Sequence, residues 1–182
     1  GELTRLTQDA FSERTPRFSP QGDALLFATD RGPATDLQAL QFGPWNVARL
    51  QLLREGDRLA AGPVDVVVQS DANDFAPVWG PDGGTLGFIS DRDGTYQVYT
   101  LELASGTVRR RTRFDAGVVG IVATGPAFSW AKSGDLVYSI FHNGGWSLYG
   151  THGFPEDAPG EVLPDRLAMT RSAPPAIGEV AA

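Results

Sequence analysis

Apolar and polar residues alternate with a period of two through most of the chain. The pattern is clearest after Tyr96, where Gln97, Tyr99, Leu101 and Leu103 fall on one side and Val98, Thr100 and Glu102 on the other. A period of two belongs to a strand, whereas a helix would repeat its apolar positions every three to four residues. Both sides carry apolar groups, which predicts a sheet covered on both faces. Short segments of this kind recur along the chain, separated by clusters of Gly, Pro, Asp and Ser, and read as strands joined by tight turns.

The segments form a repeat. "TPRFSPQGDALLFATDRG" (15–32), "APVWGPDGGTLGFISDRDG" (76–94) and "GPAFSWAKSGDLVYSIFHNGG" (125–145) align in one order. Pro16, Pro77 and Pro126 each precede an aromatic two residues on, namely Phe18, Trp79 and Phe128. A glycine turn follows, then an apolar run in which Phe27, Phe88 and Tyr138 share one place. Trp45, Tyr96 and Trp146 open the next strand of each unit. Fixed-period self-similarity of this kind is the mark of stacked structural units, each unable to bury its apolar face alone. The first unit is the longest, with an insertion, "GPATDLQALQFGP" (32–44), that reads as a surface elaboration.

These blocks resemble the PD40, or WD40-like, repeat of TolB-type β-propellers. The resemblance covers residues 3–151 and is carried by the Pro-x-aromatic turn, the buried strand and "SDRDG" at 90–94. The third unit departs from it, with Trp130-Ala131-Lys132-Ser133 at the first turn and His142-Asn143-Gly144 at the second. The resemblance implies an all-β fold, a partial, about three-bladed β-propeller of four-stranded antiparallel blades with an extended C-terminal tail. Units are expected at about 10–71, 72–115 and 116–151, with residues 1–9 as an orphan outer strand and 152–182 as a proline-rich extended tail. Closed propellers need at least four blades, so three leave open strand edges that something must cover. A fragment of a longer propeller, an open arc covered by other proteins and a head-to-tail pair are the three solutions, with the homodimer ranked below the other two.

Composition narrows the function classes. The net charge of −7 argues against nucleic acid or an anionic lipid surface as the main partner. There is no cysteine, which excludes disulfides, thiolate metal sites and a cysteine nucleophile. The chain starts at Gly1 and not at Met, as a processed product or a piece of something longer would.

Each candidate for chemistry has a simpler structural reading. Asp91-Arg92-Asp93-Gly94 places carboxylates close together but lacks the later ligands of a calcium loop, so a tight turn is expected. Ser129-Trp130-Ala131-Lys132 matches Ser-x-x-Lys, yet it falls at a strand turn and not on the helix that motif requires. The two histidines, His142 and His152, are too few for a zinc site and have no nucleophile elbow beside them. "RRRTR" (109–113) on a strand forms no continuous basic stripe. The expectation is therefore no catalytic residue, no cofactor and no metal.

What remains is a non-enzymatic interaction or scaffold protein that docks on subunits of a bacterial envelope or membrane-associated complex. The repeat resemblance implies a periplasmic or membrane-peripheral location, with the cytoplasm as the alternative and peripheral membrane contact as an option. Partner contacts are expected where the three units differ. These are Leu40 and Phe42 in the insertion, Val118, Val119 and Ile121 in the apolar loop 116–125, Trp130 (which has no aligned counterpart), and Leu163, Leu167 and Met169 in the tail. The alternative is the propeller portion of a larger prolyl-oligopeptidase-like hydrolase whose catalytic domain lies outside this chain.

Overall fold

The structure, a computed structural model, describes residues 3–56, 58–119, 127–142 and 144–154. It is all-β. Sheet 1 contains β1 (Glu13–Phe18), β2 (Ala24–Thr29), β3 (Asn46–Glu55) and β4 (Arg58–Val68) in that spatial order. Sheet 2 repeats the arrangement with β5 (Asp74–Trp79), β6 (Thr85–Ser90), β7 (Gln97–Glu102) and β8 (Thr107–Arg110). Sheet 3 has β9 (Phe128–Trp130), β10 (Asp135–His142) and β11 (Gly145–His152), with β10 in the middle. Every pairing is antiparallel. Among the described residues no helix is long and apolar enough to cross a membrane.

The sheets stack in chain order, each through its first strand against its neighbour. Between sheets 1 and 2 lie Leu26, Val47 and Val68 on one side and Leu86, Phe88, Tyr99 and Leu101 on the other. Between sheets 2 and 3 lie Ile89 and Val98, facing Phe128, Leu136 and Tyr138. The period-two alternation produces both layers, because successive residues of one strand point to opposite neighbours. Gly87 of β6 belongs to this packing, since a Cβ there would stand 2.9 Å from the ring of Phe128. The opposite face of sheet 1 buries Phe27, Ala48, Leu50 and Leu52, with Leu6 packed on them.

The first turn of each unit is built alike. The amides of Gly22, Gly83 and Gly134 donate to the carbonyls of Ser19, Gly80 and Ala131, and all three glycines have positive φ, where a side chain would be strained. The second turn is tied back to the loop before the first strand. The Asp30 carboxylate accepts the Ser12 amide at 2.7 Å, and the Asp91 carboxylate accepts the Asn73 amide at 2.8 Å. Thr15 and Ala76, at the bulge of β1 and β5, both take positive φ without being glycine.

Two sequence expectations change. Residues 3–8, expected as part of an outer strand, form none; Leu6 instead packs on the apolar face of sheet 1 formed by Phe27, Ala48, Leu50 and Leu52. The alignment at the third turn also shifts. Phe18 pairs with Leu25, Trp79 with Leu86 and Trp130 with Leu136, so Trp130 is the counterpart of Phe18 and Trp79. The third turn is one residue shorter, and Pro126 stands four residues before Trp130 where Pro16 and Pro77 stand two before Phe18 and Trp79, so matching the prolines puts Phe128 in the place that Trp130 holds. A long β3–β4 hairpin also extends past the length of β7 and β8, a feature the strand pattern did not announce.

Candidate interaction surface

The insertion of sheet 1 is a braced loop. Asp36 and Gln41 exchange both backbone hydrogen bonds, at 2.8 and 2.9 Å, closing a small hairpin. The Asp36 carboxylate accepts the amides of Gln38 and Ala39, satisfying the donors inside the turn. Thr35 staples the base: its hydroxyl donates to the Asp30 carbonyl and accepts from the Gly43 amide. Leu40 sits at φ 53°, an uncommon conformation for a residue with a side chain. This bracing holds Leu40, 73% exposed, and Phe42, 61% exposed, out in solvent.

Beneath the loop is a cleft of about 430 Å³ lined by Thr35, Gly43, Asn46, Gln69, Ser70 and Asp71 among others. Its floor is held by Asn46, whose amide donates to the Arg31 carbonyl at 2.7 Å and whose side-chain oxygen accepts the Ser70 amide. The structure thus brings together the insertion and the loop after β4.

The other expected contacts separate. Val118 is fully buried, its amide donating to the Tyr96 carbonyl at 2.6 Å, and it packs in the core between sheets 2 and 3. It is a core residue, because a loop returning to start a new sheet must satisfy its backbone and finds Tyr96 and Ile140 beside it. Val119 is half-buried. Trp130 is half-buried as well, edge-on to Phe154 at 5.0 Å, and its indole nitrogen is buried with no hydrogen-bond partner among the described residues. Ile121, Leu163, Leu167 and Met169 lie outside the described residues.

The outward face of sheet 3 is a surface that the strand pattern did not reveal. Directly paired residues share a face, and the Phe141–Trp146 and Ser139–Leu148 pairs align along it with Val137. Val137, Phe141, Trp146 and Leu148 are all exposed, Leu148 at 76%. Phe141 and Trp146 meet edge to face at 5.4 Å. Trp146 was visible as the counterpart of Trp45 and Tyr96; its exposure came only from its place in the last described sheet.

The charged groups of the turns are occupied within the fold. Arg92 pairs with the fully buried Asp74 at 2.9 Å and donates to the Ser90 hydroxyl. Burial raises the Asp74 carboxyl above the usual carboxylate range, with the Arg92 charge pulling it back. Asp93 accepts from the Tyr99 hydroxyl and from Arg110 at 2.6 Å. Burial, reinforced by that hydrogen bond, pushes the Tyr99 phenol well above its ordinary range. Arg111 donates to Thr100 and lies over the Phe154 ring, so the basic run is divided between structural partners.

No family model and no curated protein matches the chain. Among solved structures it is similar to a serine-to-alanine variant of puromycin hydrolase complexed with PGG, at 18% identity and TM-score 0.63, over 82% of this chain and 22% of that one. A second puromycin hydrolase structure matches at 17% identity and TM-score 0.54, over 70% of this chain and 18% of that one. TolB from Acinetobacter baumannii matches at 18% identity and TM-score 0.47, over 76% of this chain and 29% of that one. At such identities the likeness is one of fold. The chain spans about a fifth of the puromycin hydrolase chains. Its register-matched sheets make it a partial β-propeller.

Proposed function

We propose that this chain is a non-catalytic docking module that binds other protein subunits in a bacterial envelope or membrane-associated complex. The observation that carries the reading is the braced insertion, which spends a backbone hairpin, a threonine staple and a strained Leu40 on holding two apolar side chains in water. An apolar pair fixed in solvent on a rigid loop gains free energy when a partner covers it, and loops on such scaffolds are where recognition is placed. The repeat's resemblance to TolB-type propellers supports a periplasmic or membrane-peripheral setting. The shifted groups Asp74 and Tyr99 are engaged by Arg92 and Asp93 inside a sheet, which supports a structural role for the turn motifs. The test is site-specific photocrosslinking from position 42 in the native envelope. Discrete protein adducts, lost in Leu40→Glu, are expected; the absence of any adduct sinks the reading.

A second reading, the propeller portion of a larger hydrolase, is supported by the likeness to about a fifth of puromycin hydrolase. It requires the encoded polypeptide to continue into a domain with a serine nucleophile, which the sequence of the surrounding gene decides.

A further inference from the structure

A second groove crosses the first strands of all three sheets. β1, β5 and β9 place Phe18, Trp79 and Trp130 at one ladder step, opposite Leu25, Leu86 and Leu136. The three aromatics line a groove of about 260 Å³ beside the first turns. Phe18 is exposed, and the two tryptophans are half-buried. The lining includes the cations Arg17 and Lys132 and no carboxylate, in a chain whose net charge is −7. Arg31, Arg49, Arg92 and Arg110 each meet a carboxylate, whereas among the described residues Arg17 and Lys132 meet none. Arg17 donates only to the neighbouring Pro16 carbonyl, at 3.4 Å.

A row of aromatic rings between two cations selects its ligand by chemistry. An aromatic-lined groove accepts a proline-rich segment in its extended left-handed form, which is stiff beforehand and loses little freedom on docking. Arg17 lies in sheet 1 and Lys132 just beyond β9 of sheet 3, so the ligand must carry carboxylates toward both of its ends. The described chain leads to this groove. The Gly153 amide donates to the Gly134 carbonyl at 2.9 Å, which fixes the backbone beside the turn that carries Lys132, and Phe154 stands edge-on to Trp130 at 5.0 Å. The sequence then reads "PEDAPGEVLP" (155–164), with prolines at 155, 159 and 164, carboxylates at Glu156, Asp157 and Glu161, and no cation. These ten residues lie outside the described ones. From sheet 3 to sheet 1 is two sheet spacings, about 20 Å. Ten residues in the polyproline form reach about 31 Å, so the segment is long enough.

We infer that the groove at Phe18, Trp79 and Trp130 is the binding site for residues 155–164 of the same chain, with Glu156 and Asp157 toward Lys132 and Glu161 toward Arg17. Bound there, the segment covers the aromatic row and neutralises both cations. It also closes the site to acidic, proline-bearing segments of other proteins. This inference does not depend on the loop contact at Leu40 and Phe42.

The test puts the photocrosslinker benzoylphenylalanine in place of Phe18 in the full chain, irradiated in its native cells and as dilute purified protein, with Leu53, exposed on β3, as the control position. A crosslink from position 18 into residues 155–164, mapped by tandem mass spectrometry in a product with the mass of one chain, is expected. No crosslink reaches that segment from position 53. The yield falls about fivefold in a Glu156→Lys, Asp157→Lys, Glu161→Lys variant that melts as the wild type does, since exposed ion pairs are individually weak but here act together. Pro20, which also lines the groove, takes the crosslinker if the chain labelled at 18 does not fold. Crosslinks that never enter 155–164, a product with the mass of two chains, an adduct to another polypeptide, or an unchanged yield in the charge variant overturns the inference, as does no crosslink at all.

Discussion

Arg31 and Arg92 occupy the same place in successive sheets. Each guanidinium is almost fully buried, donates to the hydroxyl two residues before it, and pairs with a carboxylate eighteen residues earlier, Glu13 for Arg31 and Asp74 for Arg92. Each also lies against the aromatic four positions back, Phe27 or Phe88. The arginine of the "DRG" and "SDRDG" turns is therefore a stitch between the end of the second strand and the start of the first. This is the chemistry that made the motif look like an ion loop.

The two stitches differ in depth, and stability should differ with them. Asp74 is fully buried, whereas Asp9 and Glu13 keep about a quarter of their side chains exposed. Removing one partner of a buried pair leaves an uncompensated charge, at a cost of about 3 kcal/mol, while water relieves a part-exposed one. Arg92→Met is expected to lower unfolding free energy in urea by about 3 kcal/mol and Arg31→Met by about 1–2 kcal/mol. Equal losses would contradict the assignment.

Gly87 makes room for Phe128 across the interface of sheets 2 and 3. A methyl group there would press on the Phe128 ring at 2.9 Å and on Val78 at 3.1 Å. Gly87→Ala is expected to cost about 1–3 kcal/mol by overpacking. Phe128→Leu in the same chain should return part of that loss, measured as a coupling in a double-mutant cycle.

Trp79 and Trp130 are ladder counterparts with different indole environments. Trp79 donates to the Arg17 carbonyl of the preceding sheet at 3.3 Å, while the Trp130 nitrogen is buried without a partner among the described residues. Trp79→Phe loses a hydrogen bond, and Trp130→Phe removes an unsatisfied donor. Trp79→Phe should therefore be the more destabilising by about 1 kcal/mol in chemical denaturation. The reverse order would place the hydrogen bond on the wrong tryptophan.

Tyr99 should resist ionisation well above the ordinary phenol range. Burial and the Asp93 hydrogen bond raise its phenol in the folded state, so the fold holds that proton more tightly than the unfolded chain does. The resulting stability is complete below the ordinary phenol value, about pH 10, and declines as pH rises above it. Asp93→Asn should bring the phenolate absorbance step to lower pH, and an unchanged titration would remove Asp93 as a cause.

The strand repeat, the turn glycines and the three-sheet order were legible because period-two alternation and turn chemistry are local properties of sequence. The register of the third turn was not, because one deleted residue between Gly134 and Asp135 is invisible until ladder partners are known. Val118 was misread for a related reason. An apolar loop and an apolar core segment have the same composition, and only its bond to Tyr96 and its contact with Ile140 distinguish them. The braced loop at Leu40 and Phe42 was located from length alone, since it is the place where the first unit exceeds its sisters. The open face of sheet 3 could not be read, because Phe141 and Trp146 carry the same alternation whether or not another sheet lies over them.

The proposed role of these exposed apolar surfaces is to dock other proteins. Purifying the chain from its native cells at native level, and measuring the mass and stoichiometry of what it carries, tests this. A defined heterologous complex is expected, intact in the wild type and depleted in a Leu40→Glu, Phe42→Glu variant that melts as the wild type does. Recovery of both forms as a lone 19.4 kDa monomer would contradict it.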